Sequence, residues 1–128
     1  MGPEAKLYKK LRKSCKDISW IRIEILSSLW TPDLLGYNNS GTFFTVELKC
    51  TKGNKVRFSP HQIAFHKTHP NNTFILVEAL GQRSSKLFQY YLIPGSRIEE
   101  LVACGLKPKL DACSLELDAC SLKFENLN

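Results

Sequence analysis

The sequence lacks the features that would place this chain in a membrane, in a secretory pathway or among zinc-binding proteins. No apolar run is long enough to cross a bilayer, and the first residues do not resemble a secretory signal peptide. The five cysteines are scattered and form no C-x-x-C pair, so we expect reduced thiols and no structural zinc site. These absences favour a cytoplasmic protein with no membrane partner.

The composition instead shows an excess of positive charge. The 128 residues have a net charge of +6, with 43% hydrophobic and 23% charged residues, which is ordinary for one globular domain. The charge is uneven, because residues 1–16 carry six Lys or Arg against one Glu. Such a surface fits a polyanionic partner such as nucleic acid, although many cytosolic proteins are equally basic.

Hydrophobic periodicity predicts an α/β protein, with a central mixed β-sheet flanked by helices. The predicted helices are residues 4–14, 59–69 and 96–104, and the predicted strands are residues 18–26, 34–37, 42–50, 73–80 and 86–93. The second and third helices each begin with a capping-box pattern, Ser59 with Gln62 and Ser96 with Glu99.

The most informative residues are two acids and a lysine. Asp33 follows Pro32 directly, and Glu47-Leu48-Lys49 begins fourteen residues after the aspartate. Two carboxylates can hold Mg²⁺, and a nearby ammonium can steady the attacking water or the developing charge. These residue types therefore point to metal-dependent hydrolysis of a phosphodiester.

The predicted hairpin gives these residues a common location. Alternation along the strand 42–50 places Glu47 and Lys49 on the same face. A turn at residues 36–41 would bring Asp33, on the preceding strand, near Glu47. The alternative interpretation of Glu47 and Lys49 is a solvated strand face, or a cross-strand ion pair that contributes little to stability.

Five short segments within residues 4–95 form an ordered set. They are Trp20-Ile-Arg22-Ile-Glu24, Pro32-Asp33-Leu34, Val46-Glu47-Leu48-Lys49, Ser59-Pro60-His61-Gln62 and Thr73-Phe-Ile-Leu-Val77. The set resembles the PD-(D/E)xK nuclease superfamily, and within it the small phage-type virus-type replication-repair nucleases (VRR-NUC) and Holliday-junction-resolvase-like endonucleases. The resemblance implies a restriction-endonuclease-like core in a nuclease domain over residues 1–105, followed by a tail at residues 106–128. A glycine expected before Pro32 is absent, and the tail is not part of the family pattern.

The resemblance also implies roles for single residues. Asp33 and Glu47 would bind Mg²⁺ or Mn²⁺ with help from the Leu48 carbonyl. Lys49 would orient the attacking water and stabilise the pentacovalent phosphate. Glu4 occupies a first-helix position where such nucleases often place another carboxylate, although an acid there also complements the helix dipole.

Three further residues have two interpretations each. Gln62 matches a glutamine that this branch places beside the site, but its capping box already explains it, and it could do both only by turning toward Lys49. Glu24 could be a metal ligand from the strand before Pro32. Arg22 shares the face of Glu24 and could hold a phosphate or form a surface ion pair.

Basic residues and two histidines are the predicted contacts to the nucleic-acid backbone. The basic residues lie on the first helix or follow the strand of Glu47: Lys9, Lys10, Arg12, Lys13, Lys52, Lys55 and Arg57. His61 and His66 lack the i, i+4 partner of a metal pair, so we predict backbone contacts or a place on the helix surface. A solvated face explains each lysine equally well.

The tail contains a seven-residue repeat, LDACSLE followed by LDACSLK. Its apolar positions would line one stripe of a short packing or dimerising helix: Leu110, Cys113, Leu117, Cys120, Phe124 and Leu127. Because Asp, Ser and Cys are poor helix formers, a loosely held tail is slightly favoured over that helix.

The principal hypothesis is a Mg²⁺- or Mn²⁺-dependent endodeoxyribonuclease that cuts branched or junction DNA in phage replication, recombination or repair. Its location would be the cytoplasm, that of the host if a phage encodes it. A junction cut in two strands needs two sites, which motivates a homodimer. The alternatives are a non-catalytic nucleic-acid-binding module on a nuclease-like scaffold and a protein-interaction module that uses the tail.

Overall fold

The chain forms a six-stranded mixed β-sheet flanked by helices, in a computed structural model that describes residues 2–23, 32–80, 89–106 and 110–128. The helices are α1 (Pro3–Ser14), α2 (Pro60–Thr68), α3 (Ile98–Cys104) and α4 (Ala119–Glu125). The strands are β1 (Ser19–Arg22), β2 (Leu34–Tyr37), β3 (Phe43–Thr51), β4 (Thr73–Ala79), β5 (Tyr90–Pro94) and β6 (Ser114–Leu115). The predicted α/β class with a mixed sheet is confirmed, and the predicted strand residues 24–26 and 86–88 lie outside the described residues.

The strands follow one another across the sheet in chain order. Strands β3 and β4 are parallel, and the other described neighbours are antiparallel. A parallel pair needs a crossover, and α2 lies in the connection between β3 and β4. Among the described helices, none has the length and apolar character needed to cross a membrane.

The β2–β3 hairpin forms where the sequence predicts a turn. The Asn38 carboxamide oxygen accepts the N–H groups of Ser40 and Thr42, which closes the turn. Gly36 is required two residues before Asn38, because a Cβ there would lie 2.4 Å from the Phe44 ring. The register pairs Leu34 with Val46, and this pairing sets the position of every later residue of β3 relative to the start of β2.

One of the two predicted capping boxes is present. The Ser59 hydroxyl accepts the Gln62 N–H at 3.2 Å, and the Gln62 carboxamide oxygen accepts the Ser59 N–H at 3.0 Å. The predicted box of Ser96 with Glu99 is wrong. Residues Gly95–Arg97 form a 3-10 turn, so α3 begins only at Ile98 and its N-cap makes no side-chain hydrogen bond.

Each face of the sheet is covered by its own core. On the α1 and α4 side, Phe44 stacks on Phe124 with ring centroids 4.5 Å apart, and Trp20 meets both rings edge-on. On the α3 side, Ile75 and Ile93 pack with the helix in a second aliphatic cluster. The sheet is therefore packed on both sides, and β4 and β5 carry side chains into both cores.

The tail is part of the fold, so the expectation of a loosely held tail is wrong. Strand β6 pairs with β5, and Phe124 of α4 is 0% exposed in the aromatic core. Burying such a side chain contributes about 2–3 kcal/mol, which outweighs a weak helix propensity. A continuous heptad helix is also absent from residues 110–128, because a 3-10 turn and β6 precede α4. Since Leu110 and Cys120 are also 0% exposed, the apolar stripe is not an available surface.

Candidate active site

The candidate site lies where β3 extends past the start of β2. The ladder between these strands ends at Leu34 and Val46, so Glu47 is the first residue of β3 beyond it. Asp33 directly precedes β2, and its Oδ2 accepts the Leu48 N–H at 2.7 Å. The prediction that the hairpin brings Asp33 next to the strand of Glu47 is confirmed.

The Leu48 carbonyl faces the same space as Asp33. In a strand, the N–H and C=O of one residue point to the same edge, and successive residues alternate. Thr45 donates its N–H to Asn72 at the β4 edge, whereas Leu48 donates to Asp33 at the β2 edge. The Leu48 carbonyl oxygen therefore points toward the start of β2, where the resemblance expects a metal ligand.

Glu47 is a buried carboxylate beside a second carboxylate. Its side chain is on the face covered by α2, and the residue is only 3% exposed, so a solvated strand face is wrong for it. Burial and, to a smaller extent, the adjacent negative charge of Asp33 together raise the pKa of Glu47 to about 8, against a lowering by Lys49. A cation between the two carboxylates would relieve both penalties.

Gln62 connects Glu47 to Lys49. Its Nε2 donates to Glu47 Oε2 at 3.0 Å, and its Oε1 accepts from Lys49 Nζ at 3.0 Å. The same Oε1 accepts the Ser59 N–H, so the side chain completes the capping box and joins the site at once. The Lys49 ammonium also lies 4.7 Å from the centre of the Phe58 ring, a cation–π contact that holds it in place.

Glu4 lies beside this cluster in the first turn of α1. It lines two cavities, and its negative charge makes the smallest contribution to the raised pKa of Glu47. The smaller cavity, of about 150 Å³, is also lined by Tyr8, Arg22, Asp33 and Leu48. The larger, of about 340 Å³, is also lined by Lys49, Lys52, Lys55 and Arg57. Glu4 is thus placed where the resemblance expects a further carboxylate.

Of the two site residues predicted on the first strand, Arg22 and Glu24, the structure describes only Arg22. Arg22 lines the smaller cavity, and its guanidinium lies 5.5 Å from the centre of the Tyr8 ring. Glu24 lies outside the described residues, so its predicted role as a metal ligand stays a prediction.

The predicted nucleic-acid contacts on α1 and after the strand of Glu47 fall into two basic surfaces. The first is the larger cavity beside Glu4, where basic side chains and Lys49 share a lining. The second is a broad groove of about 810 Å³ along α1, lined by Lys6, Lys9, Lys10, Arg12, Lys13 and Lys16. Lys6 and Lys16 were not singled out from the sequence, although their helical spacing from Lys9 and Lys13 was the available signal.

Two of the predicted contacts have other surroundings. The Lys10 ammonium lies 2.8 Å from the Glu78 carboxylate, and this hydrogen bond raises the pKa of Lys10. His66 is 0% exposed, so the prediction of a surface or phosphate-contacting side chain is wrong for it. His61 is exposed at the second position of α2, as predicted.

Comparisons with known proteins found no relative of this chain. No protein-family model matches it, and no match was found among curated proteins or among solved structures. The function therefore has to be argued from the site itself and from the resemblance of its motifs.

The site fits a hard divalent cation with incomplete protein ligation. Asp33, Glu47 and the Leu48 carbonyl offer the oxygen ligands that Mg²⁺ and Mn²⁺ prefer. Within the described ranges, no group of three or more His, Cys, Asp or Glu side chains is arranged to hold a metal. Mg²⁺ is commonly bound by one or two carboxylates together with water and substrate phosphates, so two carboxylates suit it better than a closed zinc-type site.

Proposed function

We propose that this protein is a Mg²⁺- or Mn²⁺-dependent endodeoxyribonuclease of the PD-(D/E)xK superfamily, with a restriction-endonuclease-like core. One observation carries the proposal: the buried Glu47 adjoins Asp33 and is linked through Gln62 to the Lys49 ammonium. A carboxylate pair with a fixed ammonium nearby is a donor set that supports metal-dependent phosphodiester hydrolysis.

The side chains divide the work of such a reaction. The metal, when bound, would supply a nucleophilic hydroxide and polarise the scissile phosphate. Asp33 and Glu47 would hold it, and the Leu48 N–H fixes the orientation of Asp33. Lys49, whose ammonium is linked to Glu47 through Gln62, would orient the attacking water and stabilise the negative charge that develops on the phosphate.

DNA would reach the site across the two basic surfaces. Lys49 itself lines the cavity beside Glu4. The other basic side chains of that lining, Lys52, Lys55 and Arg57, would therefore contact the phosphates that flank the scissile one. The α1 groove holds a second stretch of backbone. Two separate duplex contacts would favour branched DNA as substrate, and a junction cut in two strands needs two sites, which motivates a homodimer.

Cleavage assays test the proposal on four-way junction, flap, duplex and single-stranded DNA with Mg²⁺ or Mn²⁺. We expect the wild type to cut branched DNA and Asp33→Asn and Lys49→Ala to lose that activity. The matched controls are Asp17→Asn and Lys123→Ala, which change exposed residues on other elements and should cut like the wild type.

Three results would contradict parts of the proposal. Equal cleavage by wild type, Asp33→Asn and Lys49→Ala would remove the site. A wild type that binds DNA without cutting it, with no effect of Mg²⁺ beyond ionic screening, would favour the non-catalytic binding module. A protein that sediments as a monomer both alone and on junction DNA would contradict the homodimer.

A further inference from the structure

His66 is the most unusual buried side chain near the site. It is 0% exposed on α2, and neither ring nitrogen has a hydrogen-bond partner among the described residues. A buried polar group without a partner costs about 1–3 kcal/mol, so such a group in a native fold calls for an explanation. An apolar residue would fill the same volume without that cost.

The histidine ring lies beside the oxygen of the Glu47 carboxylate that Gln62 does not bind. His66 Nε2 is 4.0 Å from Glu47 Oε1, while Oε2 of the same carboxylate accepts from Gln62. Gln62 and His66 are four residues apart on α2 and so project from the same side of the helix. One helix face therefore approaches both oxygens of the carboxylate.

On the other side of the ring, Gly95 leaves the space that the His66 side chain occupies. A Cβ at residue 95 would lie 2.9 Å from His66 Nδ1 and 2.1 Å from the Thr73 hydroxyl oxygen, so only glycine fits there. Burial lowers the pKa of His66 to about 4, which leaves the ring neutral near pH 7, with one N–H donor and one acceptor.

We propose that His66 is a positioning residue, whose Nε2–H donates to Glu47 Oε1 when the carboxylate binds a cation, while Gln62 holds Oε2. This inference rests on the proposed metal-dependent function. Two donors on one carboxylate fix its plane and direct its remaining lone pairs toward Asp33. His66 does not touch the reacting atoms, so it acts through Glu47 alone.

The 4.0 Å separation is compatible with this role. It exceeds the usual range for an N–H···O bond by about 1 Å, and active-site hydrogen bonds often tighten only when the ligand is bound. Hydrogen bonds that orient a metal-binding carboxylate are typically worth about 10–100-fold in metal affinity. A histidine that only fills the core would contribute nothing to that affinity.

Titration of the 128-residue chain with Mn²⁺ alone, followed by electron paramagnetic resonance, tests the inference. We expect His66→Phe to weaken Mn²⁺ binding about 10–100-fold, with a thermal unfolding midpoint equal to or above that of the wild type. His66→Gln, whose Nε2 can replace that of histidine, should recover part of the affinity. His69→Phe, an exposed histidine on the end of the same helix, should bind like the wild type.

A measurement on the unmutated protein covers the case in which the variants do not fold. Nitrogen-15 spectra of the histidine rings should show the Nε2–H tautomer of His66, with a shift of its Nε2 signal on adding Mg²⁺. The Nδ1–H tautomer without any response to Mg²⁺, or unchanged Mn²⁺ affinity in folded His66→Phe, would overturn the inference. A wild type that binds neither ion would instead overturn the proposed function.

Discussion

Strands β3 and β4 lie side by side, and each buries one glutamate. Glu78 on β4 is 8% exposed, and the Lys10 ammonium hydrogen-bonds to it at 2.8 Å. Glu47 on β3 is 3% exposed, and it adjoins the like charge of Asp33. The Lys49 ammonium is one side chain removed from Glu47, since both bind to Gln62.

Glu78 is therefore paired directly with a cation, whereas Glu47 reaches a cation only through Gln62. Burying a charge is costly unless a partner of opposite sign is close. Glu78 has that partner within the protein, so its burial needs no function. Glu47 has a raised pKa and a carboxylate neighbour, and such destabilising arrangements are found most often at functional sites.

The largest expected effect is a difference in cleavage rate between variants of Glu47 and Glu78. If that difference is absent, the contrast between the two glutamates is wrong. Glu47→Gln removes one of two charged metal ligands, so we expect a loss of about 1,000-fold in the cleavage rate, equivalent to about 4 kcal/mol. Glu78→Gln is the matched control, the same substitution on the neighbouring strand, and should cut within about twofold of the wild type. Similar losses in both variants would mean that the two glutamates do not differ in function.

The second prediction tests whether the Gln62 side chain, which lies between Lys49 and Glu47, acts in cleavage or only caps α2. Gln62→Ala removes the link and the capping box together, whereas Ser59→Ala removes only the hydroxyl that caps α2. Both should lose about 1 kcal/mol of unfolding free energy, measured by chemical denaturation. Only Gln62→Ala should also slow cleavage, by about 100-fold. Equal cleavage by the two variants would reduce Gln62 to a helix cap.

The third prediction concerns pH. The pKa of Glu47 is raised to about 8 from 4.5, so its protonated form stabilises the fold at low pH and that stability is lost as pH rises toward 8. The pKa of His66 is lowered from 6.5, so its own effect on stability lies below pH 6.5 and has the opposite sign. Above pH 6.5, unfolding free energy should fall by at most about 1.4 kcal/mol per unit without divalent ions, and the slope should diminish as the pH approaches 8.

The same pH series distinguishes the two glutamates. Glu47→Gln should flatten the slope between pH 6.5 and 8, and Glu78→Gln should retain it. Adding Mg²⁺ should also flatten the wild-type slope, because a bound cation favours the ionised carboxylate. A slope that persists in Glu47→Gln would assign the titration to another group.

The smallest expected effect is the coupling energy between Glu78 and Lys10. A double-mutant cycle of Lys10→Met and Glu78→Gln should give a coupling energy of about 1 kcal/mol or less, because the lysine side chain is 46% exposed. Urea denaturation of the four proteins measures it. A coupling of several kcal/mol would show that Glu78 depends on its partner more strongly than partial exposure allows.

Much of the fold follows from local patterns in the sequence. The bounds of α1, β2 and β3 were predicted to within a residue, because alternation and helical spacing are strong in these segments. The turn residues between β2 and β3 then bring Asp33 beside the strand of Glu47. The start of α2 was predicted from Ser59, Pro60 and Gln62 because a cap is formed by residues adjacent in sequence.

Other features could not be derived from local patterns. The start of α3 was predicted two residues early, because Gly95 packs against Thr73 and His66 from distant elements and the chain enters the helix through a 3-10 turn. The tail was predicted from its weak propensity, but its conformation depends on burial against residues far away in sequence, such as Phe44.

The sequence by itself determined the residue types of the candidate site and the strand face that Glu47 and Lys49 share. It could not decide which acid is neutralised, since Glu47 and Glu78 are both strand glutamates and Lys10 is distant from Glu78 in sequence. Nor could it show that His66 is buried against Glu47. Burial and charge pairing depend on contacts between elements, and only the packed tertiary structure creates those contacts.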